Sequence, residues 1–187
     1  MNDFLKEEMK NIALSMFRKN FFGIFHGSIS AKIKQDQFII NRKNAIFDDL
    51  EKSDFIKLYS KKDYRWKDAS IDADIHLNIY KNIGEAKFVA YAMPPFLTSY
   101  SISHDKIKPI DYFGYKEIKE AEIYNPKQFD DWYERAEFEI YNHLKSNQTN
   151  FMIIKGYGVY IFGRDLQQIA KTIAIMENSC KILHYSQ

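Results

Sequence analysis

Apolar residues at Phe4, Met9, Ile12, Ala13, Met16 and Phe17 recur at a helical spacing and predict a first helix over residues 3–20. Residues 21–27 break that pattern with two glycines. Ile-Ser-Ala-Lys-Ile at 29–33 alternates, and Phe38-Ile39-Ile40 is apolar. With the polar tip Lys34-Gln35-Asp36-Gln37 between them, these two runs predict a β-hairpin with a four-residue loop. Residues 55–59 predict a short strand. Residues 72–82 predict a helix, with Asp72 accepting backbone N–H groups at its start and Ile75, Leu77 and Tyr80 on its apolar faces. Residues 88–91 predict a buried strand that runs into Ala92, Met93 and two prolines. Residues 107–123 fit neither period. An amphipathic helix is predicted over 130–144, with Tyr133, Ala136, Ile140 and Leu144 on its apolar face. Two strands, 151–154 and 159–162, flank the turn Lys155-Gly156-Tyr157-Gly158. A last helix over 165–183 carries the stripe Leu166, Ile169, Ala170, Ile173, Met176 and Cys180. Strands alternate with helices, yet several strands are joined by hairpins. The pattern predicts an α/β fold with a mixed sheet covered by helices, rather than a doubly wound parallel sheet.

Composition narrows this further. The chain has 187 residues, 45% of them apolar, with 13 Tyr and 15 Phe, enough to build one core without disulfides. No internal period or linker interrupts it, so a single domain over 1–187 is expected. Cys180 is the only cysteine, which excludes an internal disulfide framework and a cysteine-based zinc site. The acidic start and the lack of a long apolar run predict no secretory leader, no membrane partner and a cytoplasmic location. A net charge of +2 argues against a nucleic-acid partner. The stretch Lys61–Asp68, KKDYRWKD, interleaves aromatics with cations in the way that stacks bases, but its two aspartates count against that use.

Four short segments carry candidate chemistry, each beside a plainer reading. Gly27-Ser28-Ile29-Ser30 offers backbone N–H groups and the Ser28 hydroxyl to an anion, or is simply a turn into a strand. Asn41-Arg42-Lys43-Asn44 sets two cations beside two amides, a grip for phosphate or carboxylate, or a solvated loop. Asp72 and His76 are four apart on one helical face, which suits a tuned general base or the start of a metal site, or equally a cap followed by a core imidazole. Tyr91 and Met93 stand at alternate positions after the strand, where packing is the plainer role. No His-x-His, HExxH or carboxylate cluster with metal spacing occurs.

Taken in order, these segments resemble the class II aldolase/adducin family across most of the chain. Gly27-Ser28-Ile29-Ser30-Ala31-Lys32 is similar to the family's Gly-Asn-(Ile/Val)-Ser-x-Arg segment. Phe38 to Asn44 is similar to its following strand and phosphate loop. Ser70-Ile71-Asp72-Ala73-Asp74-Ile75-His76-Leu77-Asn78-Ile79-Tyr80 resembles Ser-Ser-Glu-x-x-x-His-x-x-x-Tyr. Residues 86–101 fall where the family has a strand leading into His-x-His, and 151–162 where a late strand pair carries His-Gly. The resemblance implies a three-layer α/β/α sandwich with a mixed, largely antiparallel sheet, assembled as a homotetramer with sites between subunits. It implies sugar-phosphate lyase chemistry on a zinc held by three histidines, with a glutamate as acid/base and a tyrosine donor from a neighbouring subunit. In this sequence the His-x-His positions fall on Tyr91 and Met93, and the third histidine's position on Tyr157. The glutamate's position falls on Asp72 and the donor's on Tyr112. Gly27, Ser28, Lys43, Asn44 and Ser70 fall at substrate-binding positions. The resemblance therefore implies a member with no metal ligands and no cofactor, a scaffold or binder of a small anionic or phosphorylated ligand. A metal-independent lyase or epimerase using Asp72 and Tyr112, with Lys155 as a Schiff-base candidate, is the alternative.

Overall fold

The computed structural model describes residues 2–186. In chain order its regular elements begin with α1 (Asn2–Arg18), β1 (Ser28–Lys34), β2 (Gln37–Asn41), β3 (Phe55–Tyr59) and α2 (Ala73–Asn82). They continue with β4 (Phe88–Ala92), α3 (Pro95–Ser103), β5 (Lys106–Ile107), α4 (Tyr112–Glu117) and β6 (Ala121–Tyr124). α5 (Trp132–Ser146), β7 (Phe151–Ile154), β8 (Gly158–Gly163) and α6 (Leu166–Tyr185) complete the order. The strands form one eight-stranded sheet in the order β3-β2-β1-β4-β8-β7-β6-β5. Every neighbouring pair is antiparallel except β6 and β7. This is the mixed, largely antiparallel sheet implied above.

Both faces of the sheet are covered, and strand alternation decides which residue meets which layer. Ile29, Ile39, Ala90, Ile153 and Ile161 enter one core with α1, α3 and α6. Their neighbours Phe38, Ile40, Val89, Met152 and Phe162 enter the other, under α2 and α5. Runs such as Met152-Ile153-Ile154 are apolar throughout because neither side of such a strand meets water.

Several expectations change in detail. The first hairpin turns on Gln35 and Asp36 alone, because Lys34 already pairs with Gln37; a bulge between Lys32 and Lys34 absorbs the offset. The apolar face of α5 begins at Trp132, which is buried, and not at Tyr133, which is half exposed. The unassigned stretch 107–123 resolves into β5, α4 and β6. α3 lies in a stretch to which the sequence pattern assigns no element; Pro94 sits at its N-cap and Pro95 at its first turn, where proline's fixed φ and missing N–H suit a helix start. Glu177 of α6 supplies the cap, its carboxylate accepting from the N–H groups of Phe96 at 3.0 Å and Leu97 at 2.8 Å.

Candidate functional site

Three antiparallel strands line up one row of side chains across the sheet. Ser28 of β1 stands opposite Tyr91 of β4, and Tyr91 opposite Tyr160 of β8. All three point toward α2 and α5. Along β1 the next residue on that face is Ser30. Along α2 the facing residues are Asp72, His76 and Tyr80, four apart. Two residues of strand advance about 6.6 Å and four residues of helix about 6 Å, so the two polar rows stay in step.

The contacts follow from that match. Ser28 Oγ donates to Asp72 Oδ2 at 2.7 Å and lies 2.9 Å from His76 Nε2. His76 Nδ1 lies 2.7 Å from Ser30 Oγ, which lies 2.7 Å from Tyr80 OH. Tyr160 OH donates to the other Asp72 oxygen at 2.8 Å. Asp72 holds the N-cap position of α2 but makes no cap bond; its carboxylate turns to Ser28 and Tyr160 instead, which corrects the capping expectation. The group is buried. Burial pushes the Asp72 carboxyl above its ordinary value, against the two hydrogen bonds that favour its ionised form. Burial pushes the His76 imidazole down to about 3, so it is neutral.

Above Asp72 opens a cleft of about 170 Å³, lined by Phe25, His26, Gly27, Asn41, Lys43, Ser70, Ile71, Tyr91, Tyr133 and Tyr157 as well as Asp72. Gly27 has φ +131°, a region that an L side chain rarely enters, and a Cβ there would stand 2.6 Å from the Phe22 ring. Asn41 fixes the wall by accepting from the Ile29 N–H at 2.9 Å. Ser70 Oγ accepts from the Asp72 N–H at 3.3 Å. Lys43 is exposed and has no carboxylate partner among the described residues, whereas neighbouring Arg42 is taken up by the Ser53 carbonyl and Asp68. The opposite wall is phenolic. Tyr91 and Tyr160 stack with ring centres 4.8 Å apart, and Tyr91 OH donates to the Tyr157 carbonyl at 2.8 Å. Tyr157 OH and Tyr133 OH pair at 2.7 Å. Burial, reinforced by the nearby Asp72 charge, pushes the hydroxyls of Tyr91, Tyr133, Tyr157 and Tyr160 well above a phenol's ordinary range, so all four stay protonated at neutral pH.

Of the expected site residues, Gly27, Lys43, Ser70 and Asp72 line this cleft, and Ser28 lies directly beneath it, bonded to Asp72. Asn44 is exposed and is not part of the cleft wall. Tyr112 is 68% exposed on α4, a helix packed on α6, and does not line the cleft within this chain. Met93 does not share a face with Tyr91. β4 ends at Ala92, the Met93 N–H turns to the Phe21 carbonyl at 2.8 Å, and its side chain lines an apolar groove with Phe17, Phe22 and Ile24. Lys155 is bound to Asp105 at 2.7 Å and is absent from the cleft. In Lys61–Asp68, Lys62 pairs with Asp74 and Arg65 with Asp63, so two of its four cations are already answered. Sequence reasoning missed Tyr133, Tyr160, Ser30 and Tyr80. The matched periods of Ser28/Ser30 and Asp72/His76/Tyr80 were the available signal.

The zinc implied by the resemblance does not fit these residues. Zinc takes thiolate, imidazole or carboxylate donors. This cleft offers protonated phenols, one imidazole at His26 and one carboxylate whose two oxygens already accept hydrogen bonds. Among the described residues no three His, Cys, Asp or Glu side chains gather as a metal site.

The model of the class II aldolase and adducin N-terminal domain matches residues 7–184. No curated protein matches the chain by sequence. Among solved structures, L-fuculose-1-phosphate aldolase from Thermus thermophilus superposes with a TM-score of 0.85 at 20% identity, covering 97% of this chain and 93% of that one. YgbL from Escherichia coli, described as a putative aldolase/epimerase/decarboxylase, gives 0.79 at 18%, covering 100% and 91%. A sugar-phosphate aldolase from Thermotoga maritima gives 0.66 at 14%, covering 96% and 93%. At these identities the solved structures establish the fold, and the family model covers nearly the whole sequence. The chain belongs to the class II aldolase and adducin family.

Proposed function

We propose that this protein keeps the family's fold and cleft, has given up zinc-assisted aldol chemistry, and binds a small anionic or phosphorylated ligand as a scaffold or binding protein. The observation that carries the reading is the donor set of the cleft: Tyr91 and Tyr157 stand on one wall with protonated phenols, and Lys43 stands on another with an unpaired ammonium. A Lewis acid supplies several kcal/mol to an aldol cleavage by holding the developing oxyanion, and nothing of comparable charge replaces it on the phenolic wall. Lys43 supplies a cation suited to a phosphate or carboxylate, and Gly27 lines the same cleft without a side chain to fill it. A homotetramer and a cytoplasmic location complete this reading; both rest on the family and the composition.

A metal-independent lyase or epimerase is the second reading, favoured by Asp72. A carboxylate with a raised pKa at the floor of a cleft is suited to take a proton. In the Tyr133–Tyr157 pair one proton lies between the oxygens and the other is free to face a ligand. Tyr112 would act only from a second copy.

Elemental analysis of the purified protein and calorimetric titration with inorganic phosphate test the first reading. No stoichiometric zinc and a saturable phosphate site are expected. Tightly held zinc, or sugar-phosphate turnover that a chelator abolishes, overturns it. Turnover that survives chelation and is lost in Asp72→Asn moves the assignment to the second reading.

A further inference from the structure

Under the cleft floor, Asp72, Ser28, His76, Ser30 and Tyr80 form a single file with successive contacts of 2.7, 2.9, 2.7 and 2.7 Å. Every member is buried and only Asp72 lines the cleft, so no water is at hand among Ser28, His76, Ser30 and Tyr80 to mend a mismatch. Proton counting then fixes the direction. A hydroxyl has one proton to give, and an ionised carboxylate gives none. Ser28 spends its proton on Asp72 and must therefore accept from His76, which places the ring proton on Nε2. Nδ1 of the neutral ring is left as a bare lone pair. Ser30 donates to it, and Tyr80 OH donates to Ser30. With Asp72 ionised, one orientation satisfies every group, and it is set from the carboxylate end.

We infer that His76 is a positioning residue, locked as the Nε2–H tautomer, which aims the Ser28 hydroxyl at Asp72 and holds that carboxylate ionised and oriented toward the cleft. Tyr160 of β8 donates to the second Asp72 oxygen. No cation enters the file; at its far end the Lys32 ammonium donates to the Tyr80 carbonyl at 2.7 Å and not to the phenol. The other groups around Asp72 are the neutral phenols of Tyr91, Tyr133 and Tyr157, the imidazole of His26, and Lys43 on the cleft wall. An Asp72 that carried a proton at rest would run the file the other way and put the ring proton on Nδ1. The tautomer of His76 therefore reports the state of the carboxylate two bonds up the file. The inference rests on Asp72 being the working carboxylate of the proposed cleft.

Ring ¹⁵N spectra of the full chain, free of ligand, test it directly. A protonated Nε2, a bare Nδ1 and no titration between pH 8 and 5 are expected. An Nδ1–H tautomer or an imidazolium at pH 7 overturns the inference. Carboxyl ¹³C titration of Asp72 in two variants supplies a readout that mere packing would not move. His76→Met gives Ser28 no donor, and the Asp72 midpoint is expected to rise by about half a pH unit. His76→Gln offers an amide N–H and should restore the midpoint. Equal midpoints in wild type and His76→Met overturn the inference. Should either variant fail to fold, the wild-type tautomer decides alone. Phosphate titration is read separately: a locked tautomer without phosphate binding removes the anion reading and leaves the relay standing.

Discussion

Ser28→Ala is the sharpest perturbation of the site, because one oxygen serves two buried partners. Its removal leaves Asp72 Oδ2 without a donor and the His76 ring N–H without an acceptor. Each buried polar group so stranded costs about 1–3 kcal/mol. A replacement water needs roughly 10–15 Å³ of free space, more than a deleted hydroxyl leaves. Partial relaxation brings the sum to about 3 kcal/mol, a substantial share of the 5–15 kcal/mol typical of a folded domain. With a urea slope of about 2 kcal/mol/M, the unfolding midpoint should fall by about 1.5 M. The loss should also depend on pH in a definite sense. Asp72 has a folded pKa raised above its unfolded value, so its contribution to stability declines as pH rises through the folded pKa. Removing a hydrogen bond to the ionised form raises that folded pKa further in the variant. The penalty is therefore larger at pH 8 than at acid pH, where the stranded groups are a neutral carboxyl and the imidazole. A midpoint shift below about 0.3 M at unchanged slope, or a penalty that grows as pH falls, would refute the reasoning.

Lys43→Gln should leave the urea midpoint unchanged, since the side chain is exposed and unpaired, and weaken phosphate binding about tenfold by calorimetry. Equal affinity would place the anion elsewhere. His76 is held at about 3 when folded against an ordinary 6.5, so the unfolded chain takes up its proton first. Its contribution to stability is intact above pH 6.5 and is lost toward pH 3, at up to about 1.4 kcal/mol per pH unit; the acid limb of a stability–pH curve should flatten in His76→Gln. Glu177→Gln replaces one of the two oxygens that accept from α3 by an amide nitrogen, and should cost about 1–2 kcal/mol in urea. No loss there would mean that Pro94 and Pro95 alone suffice to start the helix.

Most of the frame was legible along the chain. Alternation and helical spacing depend only on neighbours in sequence, and they marked β3, β4, β7, β8 and α6 because those segments are apolar on the sides that the fold buries. α3 escaped because its helical start is made from afar. Two prolines and an apolar run predict no element by themselves; the Glu177 carboxylate, about eighty residues on, accepts the first N–H groups. Met93 was misplaced for a related reason: alternation holds only while the strand lasts, and the chain leaves the sheet one residue earlier, at Ala92.

The candidate site divides the same way. Sequence by itself determined the ingredients: serines two apart on a strand, acid, imidazole and phenol four apart on a helix, a lone cysteine, and phenols at the strand ends. It also determined that Asp72 and His76 share a helical face. Only the tertiary structure decided that β1 and α2 face each other in step, that Tyr91 and Tyr160 stack beside Asp72, and that Tyr133 reaches over from α5. The physical reason is that side-chain period is a local property of the backbone, while hydrogen-bond partnership between buried groups is set by which elements the closing of the core brings together.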